Sequence, residues 1–141
     1  MSRHNKKAFT LLELIIVIII VGILATLGLS QYNRVVERGR TPEAKGILGA
    51  LRKAELSYYL EKGAYTTSFT DLGITAPTSC TSTHYFYYYA ILGSGDDRAG
   101  ACRCTTGGKN PNYSIGYYLR LFIDGRYDAQ LPDGTIDMTY W

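Results

Sequence analysis

The sequence contains little of what catalytic sites are usually built from. It has only two histidines, His4 and His84, and no evident set of serine, cysteine or carboxylate partners accompanies either one. The acidic residues are scattered, and Gly107-Gly108-Lys109-Asn110 lacks the spacing and the following helix of a phosphate-binding loop. We therefore predict no catalytic constellation and no cofactor, which favours a structural protein over an enzyme.

A net charge of one sign is also missing once the N-terminus is set aside. The formal charge is +3, but Arg3, Lys6 and Lys7 all precede the first apolar stretch. The remaining basic residues only balance the 12 acidic ones. The basic composition therefore gives no reason to expect a nucleic-acid partner, and the 141 residues allow one small globular domain beside the apolar stretch.

What the sequence does have is one long apolar run, from Phe9 to Leu29, in which Glu13 is the only charged residue. As a helix the run is long enough to cross a hydrocarbon layer of about 30 Å. The basic residues before it predict that the N-terminus stays in the cytoplasm and that the rest of the chain crosses the membrane.

Two ordinary interpretations leave Glu13 unexplained. A secretory signal has a shorter apolar region, although Gly28-Leu29-Ser30 offers small residues for cleavage. A plain single-pass anchor would carry the carboxylate at a cost of about 2.5–3.5 kcal/mol if it lay near the middle of the bilayer.

The stretch Phe9-Thr10-Leu11-Leu12-Glu13, placed between a short basic leader and an unbroken apolar helix, resembles the type IV pilin and pseudopilin family. The resemblance implies that a membrane-embedded prepilin peptidase cuts between Ala8 and Phe9 and methylates the new amine. Family members usually have glycine where this chain has Ala8.

The resemblance also implies a partner for Glu13, the amine of Phe9 in a neighbouring subunit. A carboxylate is tolerated in hydrocarbon when it is paired with an opposite charge. The implied partners are copies of the chain in a filament, the peptidase, and an assembly ATPase acting through an inner-membrane platform. We expect a single-pass inner-membrane protein that then enters an extracellular pilus.

Two alternatives remain open. One is a pseudopilin of type II secretion, which would form a short periplasmic pseudopilus. The other is a membrane-anchored extracytoplasmic binding domain that does not polymerise.

The expected fold class is α+β, a long N-terminal helix packed on an antiparallel sheet of three to four strands. We divide the chain into a leader (1–8), a transmembrane polymerisation helix (9–30), the amphipathic half of the helix (31–62) and a globular head (63–141). The stripe Ile47, Leu51, Ala54 and Tyr58 predicts the face of the helix that packs on the head.

Near the middle of this helix, Thr41-Pro42-Glu43 has the composition of a helix start. We therefore expect a kink between Gly39 and Pro42, with a full break as the alternative. The charged residues outside the apolar stripe, Glu37 and Glu55 among them, are expected on solvated faces.

In the head we predict strands over His84 to Leu92, Tyr113 to Ile123 and Thr135 to Trp141. Asp124-Gly125 and Asp133-Gly134 have the composition of tight turns. The stretch from Gly93 to Asn112 is predicted to be one long glycine-rich loop. Such loops in the family that the chain resembles face outward, and if this one contacts a target, we expect a host or abiotic surface. The stretch from Ala64 to Ile74 resembles the connecting loop of pilins, where a Tyr and a Leu hold the loop on the helix.

The cysteine count is odd, with Cys80, Cys102 and Cys104. In an extracytoplasmic domain a disulfide from Cys80 to either Cys102 or Cys104 is the default. Together with His84 the three cysteines also make up the ligand types of a structural zinc site, which we keep as the weaker alternative.

Four aspartates near the C-terminus suggest calcium, because the major pseudopilin that this chain resembles binds calcium there. They are Asp124, Asp128, Asp133 and Asp137. Calcium requires six to eight converging oxygens, and no compact acidic loop is present, so these remain weak candidates.

Overall fold

The computed structural model describes residues 9–91, 97–111 and 116–138, without the side chains of Ser30 and Asp97. A single helix, α1, spans Leu11–Lys62 and is followed by four strands, β1 (Phe86–Ala90), β2 (Asp97–Arg103), β3 (Tyr118–Phe122) and β4 (Tyr127–Gln130). The chain divides into two compact units, Met1–Val36 and Glu37–Trp141, so the boundary falls within α1.

The first unit consists of the apolar part of α1. From Phe9 to Val35 its large apolar side chains are all exposed, from Ile15 at 41% to Phe9 at 82%. By length and composition this is the one helix of the described residues that can cross a membrane.

Pro42 lies inside α1, and the region around it is not a helix start. Proline has no N–H, so the carbonyl of Arg38, four residues earlier, loses its usual helical partner. The Thr41 hydroxyl donates to that carbonyl at 2.9 Å. Because α1 runs without interruption from Leu11 to Lys62, the alternative of a full break is wrong, and Thr41-Pro42-Glu43 does not start a helix. The kink stays a prediction.

The second unit packs the later part of α1 against a four-stranded antiparallel sheet, which confirms the α+β fold class. From the helix, Ala44, Leu48 and Leu51 are fully buried, and Ile47, Ala54 and Tyr58 pack beside them. The sheet and its flanking segments supply the opposite side of the core, with Leu72, Phe86, Tyr88, Ala99, Ala101, Tyr117, Leu119, Leu121 and Ala129. The predicted apolar stripe therefore does face the head.

The strands follow one another in the order β1-β2-β3-β4. The predicted strands at His84–Leu92 and Tyr113–Ile123 contain β1 and β3. The prediction of one long loop from Gly93 to Asn112 is wrong, because β2 lies within it.

The last strand also differs from the prediction. In place of a strand beginning at Thr135, the sheet ends with β4, and Ile136 forms only an isolated bridge to Gln130. Residues 139–141 of the predicted strand lie outside the described residues.

Both predicted turns are present. Gly125, between β3 and β4, has φ 90°, and Gly134 has φ 89°, a backbone region that favours glycine. In the first turn the Asp124 carboxylate accepts the Arg126 N–H at 2.8 Å, which explains the Asp-Gly composition.

Candidate assembly site and the buried ion pair of the head

At its N-terminus, α1 is closed by a reciprocal pair of side-chain hydrogen bonds. The Thr10 N–H and hydroxyl donate to Glu13 Oε2 at 2.9 and 2.7 Å, and the Glu13 N–H donates to Thr10 Oγ1 at 3.3 Å. This is the capping box of a helix N-terminus, in which two otherwise unsatisfied N–H groups are bound.

Sequence reasoning missed this role of Glu13, although the Thr-x-x-Glu spacing before an apolar run signals it. The capping box positions the carboxylate at the start of the helix without burying it, since both Phe9 and Glu13 are exposed. Of the predicted processing site, Ala8 lies outside the described residues.

In the head, Cys80 and Cys104 form a disulfide, and Cys102 is a buried free thiol. The structure thus selects one of the two pairings that the sequence left open. Burial raises the pKa of the Cys102 thiol, with a hydrogen bond to Tyr87 acting in the opposite direction.

The zinc alternative loses its ligands in this arrangement. Cys80 and Cys104 are consumed by the disulfide, and His84 Nδ1 lies 2.8 Å from the Thr83 hydroxyl. Within the described ranges, no three His, Cys, Asp or Glu side chains are grouped so that they could hold a metal ion.

The four aspartates suggested for calcium serve separate local contacts. Asp128 is half of a two-bond ion pair with Arg120, at 2.9 and 2.5 Å. Asp124 pairs with Arg126, and Asp133 accepts the N–H of Thr135 at 2.9 Å. The backbone N–H of Asp137 donates to the Ala129 carbonyl at 2.8 Å.

A buried ion pair joins α1 to β2. Glu37 is 6% exposed and Arg103 is 1% exposed, and their side chains meet through Nε–Oε2 at 2.8 Å and Nη2–Oε1 at 3.3 Å. The Tyr117 hydroxyl donates to Glu37 Oε2 at 3.1 Å. Burial and the charge of Glu37 raise the pKa of Tyr117, so it remains a hydrogen-bond donor.

All five N–H donors of the Arg103 guanidinium are used. Beyond Glu37 they bind the carbonyls of Tyr85 at 3.0 Å, Cys104 at 3.1 Å and Asn110 at 2.6 Å. Arg103 thereby connects the helix, the start of β1, a disulfide cysteine and the loop that follows it.

The prediction that Glu37 and Glu55 are solvated is wrong, since Glu55 is also buried, at 2% exposed. A signal for both was present in the sequence. The buried positions of α1 recur at steps of four and three beyond the apolar residues, at Glu37, Thr41, Ala44, Leu48, Leu51 and Glu55.

The chain combines two features. It has an apolar helix that starts with a capped glutamate, and a head in which a helix packs on a sheet. Together these features indicate a membrane-anchored subunit. A family model described as the prokaryotic N-terminal methylation motif matches residues 3–29. The type IV major alpha-pilin of Moraxella bovis is 30% identical over 114 residues, which cover 75% of this chain and 72% of that protein. The chain belongs to the type IV pilin family.

Other relatives match over about half of this chain. The fimbrial protein EcpC of Eikenella corrodens is 40% identical over 76 residues, covering 54% of this chain and 50% of that protein. The type IV major pilin protein PilE1 of Neisseria gonorrhoeae is 39% identical over 74 residues, covering 52% and 45%. The chain thus spans about half the length of these curated relatives.

Proposed function

We propose that this chain is a structural pilin subunit that polymerises through its N-terminal apolar helix into a type IV pilus filament. The observation that carries the proposal is the apolar part of α1, which is exposed on every side and begins with a capped glutamate. A continuous apolar surface of this length requires a non-aqueous environment, first the membrane and then neighbouring subunits. The names of the relatives, type IV major pilin and fimbrial protein, support a pilus rather than a pseudopilus or a domain that does not polymerise.

Processing comes before assembly in this account. A prepilin peptidase removes the leader, residues 1–8, by cutting between Ala8 and Phe9, and the new N-terminus is methylated. The match of residues 3–29 to the N-terminal methylation motif supports this step. Residues 9–30 then serve as the membrane span and polymerisation helix, 31–62 as its amphipathic half and 63–141 as the head.

Assembly pairs Glu13 of one subunit with the Phe9 amine of a neighbour. Thr10 holds one carboxylate oxygen of Glu13, and the exposed side chain leaves the charge available to an incoming amine. The pair offsets the desolvation of both charges as the apolar helices come together. An assembly ATPase acting through an inner-membrane platform moves the subunit from the membrane to the surface filament.

Exchanging Glu13 for a neutral residue tests the pairing. Glu13→Gln keeps an oxygen that can accept the Thr10 N–H, so it removes the charge while the helix cap is retained. We expect membrane insertion to be unchanged and the yield of sheared surface fibres to fall at least about tenfold, because breaking a buried charge pair costs about 3–5 kcal/mol.

The matched control is Glu61→Gln, which removes one negative charge at the exposed end of α1 and should leave fibre yield unchanged. A normal fibre yield from Glu13→Gln would show that Glu13 is not an assembly residue.

A further inference from the structure

The second unit contains a small cavity of about 20 Å³ beside Glu55, close to the end of α1. The side chains around it come from α1, from the loop that follows and from the sheet: Arg52, Glu55, Leu56, Tyr65, Arg98 and Ile123. This space is comparable to one water molecule, so it excludes a small-molecule ligand.

Within this cavity the Glu55 carboxylate is poorly satisfied. Its side chain is almost fully buried, and Oε2 accepts only a long hydrogen bond, 3.4 Å, from the Thr66 N–H. Among the protein atoms of the described ranges, Oε1 has no hydrogen-bond partner. Keeping such a carboxylate buried costs free energy when it is ionised and far less when it is protonated.

The charged groups that face Glu55 offset this cost only in part. Arg98, on β2, attracts the carboxylate while its guanidinium lies 4.3 Å from the centroid of the Tyr65 ring. Arg52, one turn earlier on α1, donates two hydrogen bonds to the Ile123 carbonyl, at 3.1 and 2.9 Å. The guanidinium of Arg52 is therefore already bound to a carbonyl, and Arg98 is the cation whose charge acts on Glu55.

The loop after α1 is attached at the same place. Tyr65 stacks on Tyr59 with the ring centroids 4.6 Å apart, and the Thr66 hydroxyl lies 3.5 Å from the carboxylate of Asp71. The Thr66 N–H bound to Glu55 is the direct hydrogen bond between this loop and the buried carboxylate. Residues 64–67 thus cover the Glu55 carboxylate, and one of the contacts that hold them is made by this carboxylate itself.

We propose that Glu55 is a proton-operated latch, which holds residues 64–67 against α1 and β2 more tightly when it is protonated than when it is ionised. When the loop lifts away, water reaches the carboxylate and the cost of ionisation disappears. The closed form therefore binds the proton more strongly than the open form, and acidification favours closure. The pKa direction agrees: burial raises the pKa of Glu55 above its ordinary value, while the Thr66 N–H and Arg98 lower it by less.

Amide hydrogen exchange of the full chain in detergent micelles tests the latch. Protection factors for Thr66 and its neighbours, corrected for the intrinsic pH dependence of exchange, are compared at about pH 4.5 and about pH 8. In the unsubstituted protein we expect protection to be several-fold higher at the acidic pH. In Glu55→Gln, a neutral side chain of the same shape, we expect protection that is high at both pH values.

Asp71→Asn is the matched control, because it neutralises the exposed carboxylate next to Thr66 and leaves Glu55 in place. It should retain the pH dependence. A Glu55→Gln protein with the pH dependence of the unsubstituted protein, or protection that is constant or falls on acidification in the unsubstituted protein, would overturn the proposal.

A second measurement is independent of any variant. The carbon-13 shift of the Glu55 carboxyl group, followed by NMR in the unsubstituted chain, should titrate above the ordinary glutamate range. Titration at or below that range would overturn the latch even if Glu55→Gln did not fold.

Discussion

Arg103 is a buried arginine that links several segments of the second unit. It is buried, its five N–H groups are all bound, and its charge is matched by Glu37. A buried pair of this kind adds little compared with an apolar core, and Glu37 also pairs with Arg40 on the same helix. The loss of Arg103 would therefore leave Glu37 with one cation instead of two and would take the donor from the carbonyls of Tyr85, Cys104 and Asn110. Arg103 also holds the carbonyl of Asn110, whose φ of 42° is unusual for a residue other than glycine.

We therefore predict that Arg103→Met lowers the free energy of unfolding by about 3–5 kcal/mol. The control is Arg126→Met, which removes an arginine whose pair with Asp124 lies at the surface, with side-chain exposures of 67% and 47%. Surface pairs contribute about 0–1 kcal/mol, so this variant should unfold almost like the unsubstituted protein. Urea unfolding of both variants in micelles makes the comparison, and equal losses would contradict the role of Arg103.

At this scale the sequence singled out Glu13 because a lone charge in an apolar run is conspicuous. Glu37 and Glu55 were not recognised because a charged residue on an amphipathic helix is usually solvated. Their burial depends on partners far away in sequence, Arg103 for Glu37 and the loop at Thr66 for Glu55, and such pairings are set by the tertiary fold.

Among the elements, α1, β1 and β3 could be predicted and β2 could not. The predicted strands were rich in Tyr, Phe, Leu and Ile, residues that suit a pleated surface. The sequence of β2, DRAGACR, contains none of these residues. Its position in the sheet is set by pairing with β1 on one side and β3 on the other. Ala99 and Ala101 are small enough to lie under α1, and Tyr89 occupies the space above Gly100.

Two glycines should respond to alanine in opposite directions. At Gly108 an added Cβ would lie 2.3 Å from the Cys104 Cβ, a side chain held by the disulfide, so we predict a loss of about 1–3 kcal/mol. At Gly46, inside α1, an added Cβ meets no described atom within 4 Å, and alanine is the better helix former.

Gly46→Ala should therefore raise the stability of the isolated subunit by about 0.5–1 kcal/mol. Thermal unfolding under non-reducing conditions compares the two variants. A stable Gly108→Ala protein would show that the loop is not packed against the disulfide as described.

For the molecule as a whole, the disulfide joins segments that are 24 residues apart in sequence. In the chain-entropy treatment a loop of this length contributes about 3–4 kcal/mol, so reduction should lower the unfolding free energy by about that amount. Thiol counting by mass spectrometry should find one thiol in the unfolded, unreduced protein and three after reduction.

In the native protein the remaining thiol should react slowly with alkylating reagents, because Cys102 is buried and its pKa is raised. Three thiols without reductant, together with bound zinc, would restore the alternative that the sequence left open.

At the N-terminus, the basic residues before Phe9, the apolar helix and Glu13 are the features on which the proposed filament subunit depends most. The most direct test is the intact mass of the subunits in fibres sheared from the cell surface. We predict a chain that begins with a methylated Phe9 and lacks residues 1–8. Fibres without this chain, or a chain that keeps its leader or begins near Ser30 after loss of the apolar helix, would contradict it.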